Sequence, residues 1–130
     1  MNTEHKDLAQ AVITWDLEEV RRCLSEGESP NVMRGSFPLI THAALLHQPE
    51  IFKLLMDNGA DLPESLLYDV ITWELGDWIL QNDKEIEEMV AILGMIRHTN
   101  AWPSLEDRLR LAARLENYGL DKVKAELLTE

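Results

Sequence analysis

Residues 50–61 read EIFKLLMDNGAD, and this stretch gives the clearest helical pattern of the chain. Its apolar residues recur at the spacing of an amphipathic helix, and Asn58-Gly59 is a typical helix stop. Pro49 precedes the stretch at a first helical position. A shorter helix is predicted over 39–46, before the turn at Gln48-Pro49. The sequence here therefore predicts two short antiparallel helices joined by a tight turn.

The same arrangement recurs on both sides of this pair, beginning with Asp16 as a predicted N-cap and Gly27 as a predicted stop. Equivalent core positions in the four second helices are held by Val20, Phe52, Met89 and Val123. Their spacing is close to the period of about 33 residues that is typical of a stacked helical solenoid, in which each pair buries its apolar face against its neighbours. The predicted helices are about 7–14, 17–25, 39–46, 50–57, 66–80, 85–97 (capped by Asp83), 105–116 (capped by Ser104) and 121–128.

The sequence therefore predicts an all-α fold: one domain, 1–130, built as a short solenoid of four antiparallel helix pairs. The predicted units are about 7–34, 35–62, 63–100 and 101–130.

Several motifs resemble those of the ankyrin repeat family. The resemblance is clear over about 8–62 and weaker beyond, and it is carried by Asp16–Val20, Leu24, Gly27, Pro30-Asn31, Ala43-Ala44, 50–55 and 58–61. It implies a stack of helix pairs whose fingers and first helices form a concave, protein-binding face. The chain departs from the pattern at Trp15, where a turn glycine is expected. It departs again at 38–41, where Pro-Leu-Ile-Thr replaces the usual Thr-Pro-Leu-His.

The charge of the chain is strongly acidic, with 12 basic and 24 acidic residues and a net charge of −12. Residues 1–60 carry −4, residues 61–100 carry −7 and residues 101–130 carry −1. This balance argues against nucleic-acid binding through a basic footprint. Neither a membrane-spanning stretch nor the apolar core of a signal peptide is recognised, so a cytoplasmic protein, monomeric when free, is expected.

Catalytic and metal-binding patterns are weak. Cys23 lies among apolar helix positions, and no two of the four histidines are spaced i,i+4 as a helical metal site requires. A phosphate-binding glycine loop and a Gly-x-Ser-x-Gly motif are not found. We therefore predict a protein that is not an enzyme and has no metal or cofactor. The alternative, an enzyme using Cys23, requires that thiol to be accessible.

The candidate binding residues fall in two groups. In the helix predicted over 66–80, Asp69, Trp73 and Asp77 share one face beside Tyr68, and an exposed aromatic flanked by carboxylates suits a basic partner. Packing of Trp73 against a neighbouring unit is an equally good interpretation. The second group lies in the first finger, 29–37, and the helix after it. It comprises Met33, Arg34, Phe37, His42 and Leu45.

The function predicted from these features is non-catalytic docking of a basic partner protein, because charge complementarity speeds encounter and disfavours wrong partners. The sharpest hypothesis within this class is a small acidic inhibitor of the immunity-protein type. A general adaptor or regulatory subunit is an alternative. An acidic nucleic-acid mimic, which blocks a DNA- or RNA-binding protein, is another.

Overall fold

The computed structural model describes the backbone of residues 6–76, 83–115 and 120–129, and the side chains of the same residues except 73–76. Most of these residues are helical, which confirms the all-α prediction. The helices are α1 (Leu8–Ile13), α2 (Leu17–Ser25), α3 (Leu39–Leu45), α4 (Pro49–Asp57), α5 (Leu66–Gly76), α6 (Asp83–Ile96), α7 (Leu105–Arg114) and α8 (Asp121–Leu128). None of the helices in the described ranges is long and apolar enough to cross a bilayer.

A short β-hairpin interrupts the helices, although the sequence pattern predicts no strand here. Strands β1 (Met33–Arg34) and β2 (Phe37–Pro38) pair antiparallel, with Met33 opposite Pro38 and Arg34 opposite Phe37. Strands of two residues are too short to show the alternation of apolar and polar residues that marks a strand in sequence. The hairpin lies in the predicted first finger.

The chain divides into two compact units, Met1–Asp61 and Leu62–Glu130.

Unit 1 contains two helix pairs, in which α1 packs against α2 and α3 against α4. Like helices also pack on each other, α1 on α3 and α2 on α4. The buried apolar residues of this unit are Leu8, Ala11, Val12, Val20, Cys23, Leu24, Leu39, Ile40, Ala43, Ala44, Ile51, Phe52 and Leu55.

The turns inside the two helix pairs of unit 1 have the same geometry at equivalent positions. The amide of Trp15 donates to the carbonyl of Val12 at 3.1 Å, and the amide of His47 donates to the carbonyl of Ala44 at 3.1 Å. Both turn residues have left-handed backbone, with φ of 60° at Trp15 and 56° at His47. This conformation costs an L-residue about 1 kcal/mol relative to glycine, so both turns place a side chain where glycine would have no such cost.

The ends of α2 and α4 repeat in the same way. The amide of Gly27 donates to Leu24 and that of Gly59 to Met56, at 3.1 and 3.0 Å. Gly27 has a φ of 95° and Gly59 a φ of 94°, a region that glycine enters without a steric penalty. Both predicted helix stops are therefore confirmed.

Helix starts agree with the prediction to within a few residues. Asp7 caps α1 in a capping box with Gln10, and the Asp16 carboxylate accepts a hydrogen bond from the Glu19 amide at the start of α2. Ser104 caps α7 as predicted. Asp83, predicted as a cap, is instead the first residue of α6. The predicted helix over 66–80 is α5 as far as Gly76, and its remainder lies outside the described residues.

Unit 2 places α8 against both α6 and α7. A cluster of two arginines and one tryptophan connects these helices. The guanidinium carbons of Arg97 and Arg108 lie 5.5 and 5.2 Å from the Trp102 ring centroid. Arg108 is only 4% exposed, and it donates to the carbonyls of Pro103 at 3.1 Å and Leu127 at 2.8 Å. Arg97 forms an ion pair with Glu126 on α8.

Candidate functional site

The first candidate surface is the hairpin of unit 1, and we call Met33, Arg34, Phe37 and His42 the hairpin surface. Met33 is 60% exposed and Arg34 beside it is also exposed. The turn that joins the two strands contains Gly35, whose φ is 65°. A tight turn of this kind needs left-handed backbone, which glycine provides without strain. The hairpin thus carries a long apolar side chain and a cation into solvent.

The hairpin backbone is supported by the helix that follows it. The Nε2 atom of His42 on α3 lies 2.8 Å from the carbonyl oxygen of Arg34 and donates to it. The Phe37 and His42 rings meet edge to face with centroids 6.0 Å apart. At the base of the hairpin, the amide of Leu39 donates to the carbonyl of Val32 at 3.0 Å. Met33 and Arg34 are therefore exposed side chains on a fixed backbone.

The structure brings together four of the five residues predicted in the finger and the helix after it, namely those of the hairpin surface. The fifth, Leu45, lies about one turn beyond His42 on α3 and is half-buried. Among the described residues, no carboxylate lies within ion-pair distance of the Arg34 side chain. In a chain this acidic, an arginine without an acidic neighbour keeps its donors available to a partner.

The second candidate surface is a cleft of about 440 Å³ in unit 2, which we call the Tyr68 cleft. It is lined by Glu64, Tyr68, Pro103, Asp107, Arg110, Leu111 and Arg114. Tyr68 is 53% exposed on α5, and the Arg114 guanidinium carbon lies 5.3 Å from its ring centroid. Arg114 also donates through Nη1 to the Thr72 hydroxyl at 3.3 Å.

The group of residues predicted on the 66–80 helix is only partly described. Asp69 is half-buried and accepts a hydrogen bond from the Ser65 hydroxyl at 2.9 Å. The side chain of Trp73 and the whole of Asp77 lie outside the described residues. The predicted arrangement of carboxylates around an exposed aromatic concerned Trp73 and stays a prediction. The ring face of Tyr68 is covered by the Arg114 cation. Sequence reasoning missed Arg114 because it lies on a helix far along the chain and no local pattern connects the two.

The single cysteine is not suited to nucleophilic chemistry. Cys23 is fully buried, and its thiol donates to the carbonyl oxygen of Lys6 at 3.3 Å. Burial, reinforced by the nearby Glu28, raises the pKa of the Cys23 thiol to about 11. At neutral pH such a thiol is almost entirely protonated, and the thiolate is the reactive form. The described residues also contain no group of three or more His, Cys, Asp and Glu side chains arranged to hold a metal ion.

Comparison with family models, with curated proteins and with solved structures finds no match for this chain.

Proposed function

We propose that this chain is an ankyrin-like, non-catalytic binding module that docks a basic partner protein through the hairpin surface. The observation that carries the proposal is the hydrogen bond from His42 to the carbonyl of Arg34. It fixes the backbone under two side chains, Met33 and Arg34, that extend into solvent. Binding then costs little backbone conformational entropy, because the backbone that carries the contact residues is already ordered.

The repeat geometry of unit 1 supports the ankyrin-like arrangement. The turn hydrogen bonds and left-handed residues recur at equivalent positions of the two helix pairs, and like helices pack on like. The amide of Asp61 donates to the side-chain oxygen of Asn31 at 2.7 Å, a link between the segments that follow the two helix pairs. Stacked pairs of this kind present their hairpins and first helices along one face.

The charge of the chain supports a basic partner. With a net charge of −12, long-range attraction accelerates encounter with a cationic protein and slows encounter with an acidic one. Arg34 and Met33 contribute in a different way, since arginine is enriched among the residues that dominate binding energy and both arginine and methionine are enriched at interfaces. The proposed partner therefore carries an acidic group opposite Arg34 within a surface that is basic overall.

The proposal is tested by capture from a native lysate with matched variants. Wild type, Arg34→Ala, and Arg21→Ala are immobilised in parallel, and bound proteins are quantified and identified. Arg21 is a suitable control because it is exposed in the same unit but paired with Glu18. We expect a basic protein held by wild type and Arg21→Ala and reduced about 30-fold with Arg34→Ala, the equivalent of about 2 kcal/mol.

Equal capture by all three variants, or an acidic captured protein, contradicts the proposal. A captured protein whose amount is unchanged with Arg34→Ala, and which DNA or RNA displaces, indicates the nucleic-acid mimic instead. A mimic binds through carboxylates spread over its surface. Once the partner is known, its activity with and without this chain separates an immunity-type inhibitor from an adaptor.

A further inference from the structure

Arg114 differs from most of the described arginines in the groups that its guanidinium contacts. Arg21, Arg22, Arg97 and Arg110 each form an ion pair with a carboxylate. Arg114 is held instead by the Tyr68 ring and the Thr72 hydroxyl, and no carboxylate among the described residues lies within ion-pair distance. A guanidinium has five N–H donors in a planar fork that matches a carboxylate. Arg114 is therefore an oriented cation with donors to spare.

The walls next to this cation are apolar. The Tyr68 cleft includes the exposed tyrosine ring, Pro103 and the buried Leu111. Its volume of about 440 Å³ lies within the range of sites that hold small ligands. An acidic side chain bound at Arg114 would leave these walls empty. A chain terminus fills them, because its carboxylate and an apolar side chain belong to the same residue.

Two exposed carboxylates, Glu64 and Asp107, also line the cleft. Asp107 forms an exposed ion pair at 3.1 Å with Arg110, which lines the cleft as well, and a pair of this kind contributes little to stability and can exchange partners. Asp107 and Arg114 are seven residues apart on α7, a helical rise of about 10 Å. An extended chain covers that length in about three residues. The charges of the cleft thus complement a short segment with a basic side chain two residues before a terminal carboxylate.

We propose that the Tyr68 cleft binds the C-terminal segment of a partner protein. The terminal carboxylate lies on Arg114, the last, apolar side chain packs against Tyr68 and Leu111, and a basic side chain two positions earlier reaches Glu64 and Asp107. The ligand is a protein, as in the proposed function, but the site lies in unit 2 and its residues are separate from the hairpin surface. The two proposals therefore succeed or fail independently.

The experiment titrates the full chain with the peptide N-acetyl-Lys-Ala-Leu, followed by amide chemical shifts. The same peptide with a C-terminal amide is the matched probe. We expect shifts at Thr72 and Arg114, and about 10-fold weaker binding of the amidated peptide, because one charge-assisted contact is lost. Arg114→Gln should weaken the free acid about 10-fold and leave the amidated peptide unchanged. Arg21→Gln, also an exposed arginine, should change neither.

Each of three outcomes overturns the inference. Equal affinity of acid and amide shows that no terminal carboxylate is read. Absence of saturable shifts at peptide concentrations on the order of 10 mM shows that the cleft is not a binding site. Binding of N-acetyl-leucine as tight as that of the tripeptide shows a site for small carboxylates in place of a chain terminus. Arg34→Ala is included throughout, and it should not alter peptide binding.

Discussion

Each of the two units is stabilised by a different kind of internal contact. In unit 1, turn and helix-end hydrogen bonds recur from one helix pair to the next, so the stabilising contacts are distributed over two similar pairs. In unit 2, the Arg97–Trp102–Arg108 cluster ties two helices to α8 through a few charged contacts. A repeated local pattern distributes stability over many small terms, whereas a buried ionic cluster concentrates it in a few residues.

Replacing Arg108 should have the largest effect and tests whether stability in unit 2 is concentrated. Arg108→Ala leaves the carbonyls of Pro103 and Leu127 without these donors and removes one cation from the Trp102 ring. Two hydrogen bonds from a charged, buried donor contribute about 3 kcal/mol together. We expect a loss of that size in the free energy of unfolding, measured by urea denaturation with hydrogen exchange of α7 and α8 amides.

The matched control is Arg110→Ala, two residues further on the same helix. Arg110 is exposed and forms surface ion pairs with Glu106 and Asp107, so the expected loss is below about 0.5 kcal/mol. Similar losses for both variants would contradict the interpretation that the cluster carries much of the stability of unit 2.

Replacing the turn residues of unit 1 should have the next largest effect on stability. Trp15 and His47 share left-handed backbone, but Trp15 is 57% exposed and His47 only 5%. His47→Gly relieves the backbone but removes a buried side chain, and we expect a net loss of about 2 kcal/mol. Trp15→Gly removes no buried group, and the relief is offset by the greater freedom of unfolded glycine.

Chemical denaturation of the two glycine variants provides the measurement. The expected change for Trp15→Gly is within about 0.5 kcal/mol of zero. If it destabilises the chain as much as His47→Gly, then the indole has a structural contact and the two turns are not matched as described.

The buried thiol predicts a smaller, pH-dependent effect in unit 1. The pKa of Cys23 is raised by burial to about 11, above that of an unfolded thiol. Its contribution is unaffected below the unfolded pKa and is lost as the pH rises towards the folded value, because the unfolded chain releases the proton first. The free energy of unfolding should fall by about 1 kcal/mol from pH 9 to pH 10 through this group.

Comparison with Cys23→Ala separates the contribution of the Cys23 thiol from lysine and tyrosine titration, which both proteins share. Wild type should lose more stability than the variant over this interval, by about 1 kcal/mol. Parallel slopes would contradict the assignment. Rapid labelling of folded wild type by a thiol reagent at pH 8 would contradict it as well, and would return Cys23 to consideration as a nucleophile.

Much of the fold was predictable because its signals are local. Gly27 and Gly59 mark helix ends since only left-handed backbone closes those hydrogen bonds cheaply, and Asp16 and Ser104 cap helices through amides three residues away. The hairpin was missed because its strands have two residues each. The clustering of the four residues of the hairpin surface could be predicted from the sequence, since they lie close together in the chain.

The Tyr68 cleft was beyond sequence reasoning. The tyrosine itself was singled out, but Arg114, Leu111 and Pro103 reach it from a distant part of the chain. They meet in unit 2, where the Arg114 side chain on α7 reaches the Tyr68 ring and the Thr72 hydroxyl on α5. The burial of Arg108 could not be predicted either, because nothing in a charged helical sequence indicates which arginine is buried against a tryptophan.

The helical class, the helix ends at Gly27 and Gly59, the repeat spacing of unit 1 and the acidic charge follow from the sequence, because each depends on near neighbours or on composition. Ion pairs such as Arg21–Glu18 join residues three or four apart on one helix and are local as well. The surroundings of Arg34, Arg108 and Arg114 depend on tertiary structure. Within the described ranges, no carboxylate takes the donors of Arg34 or Arg114, whereas those of Arg108 are used inside the core. The physical reason is that ion pairing and burial depend on distances that chain folding sets between residues remote in sequence.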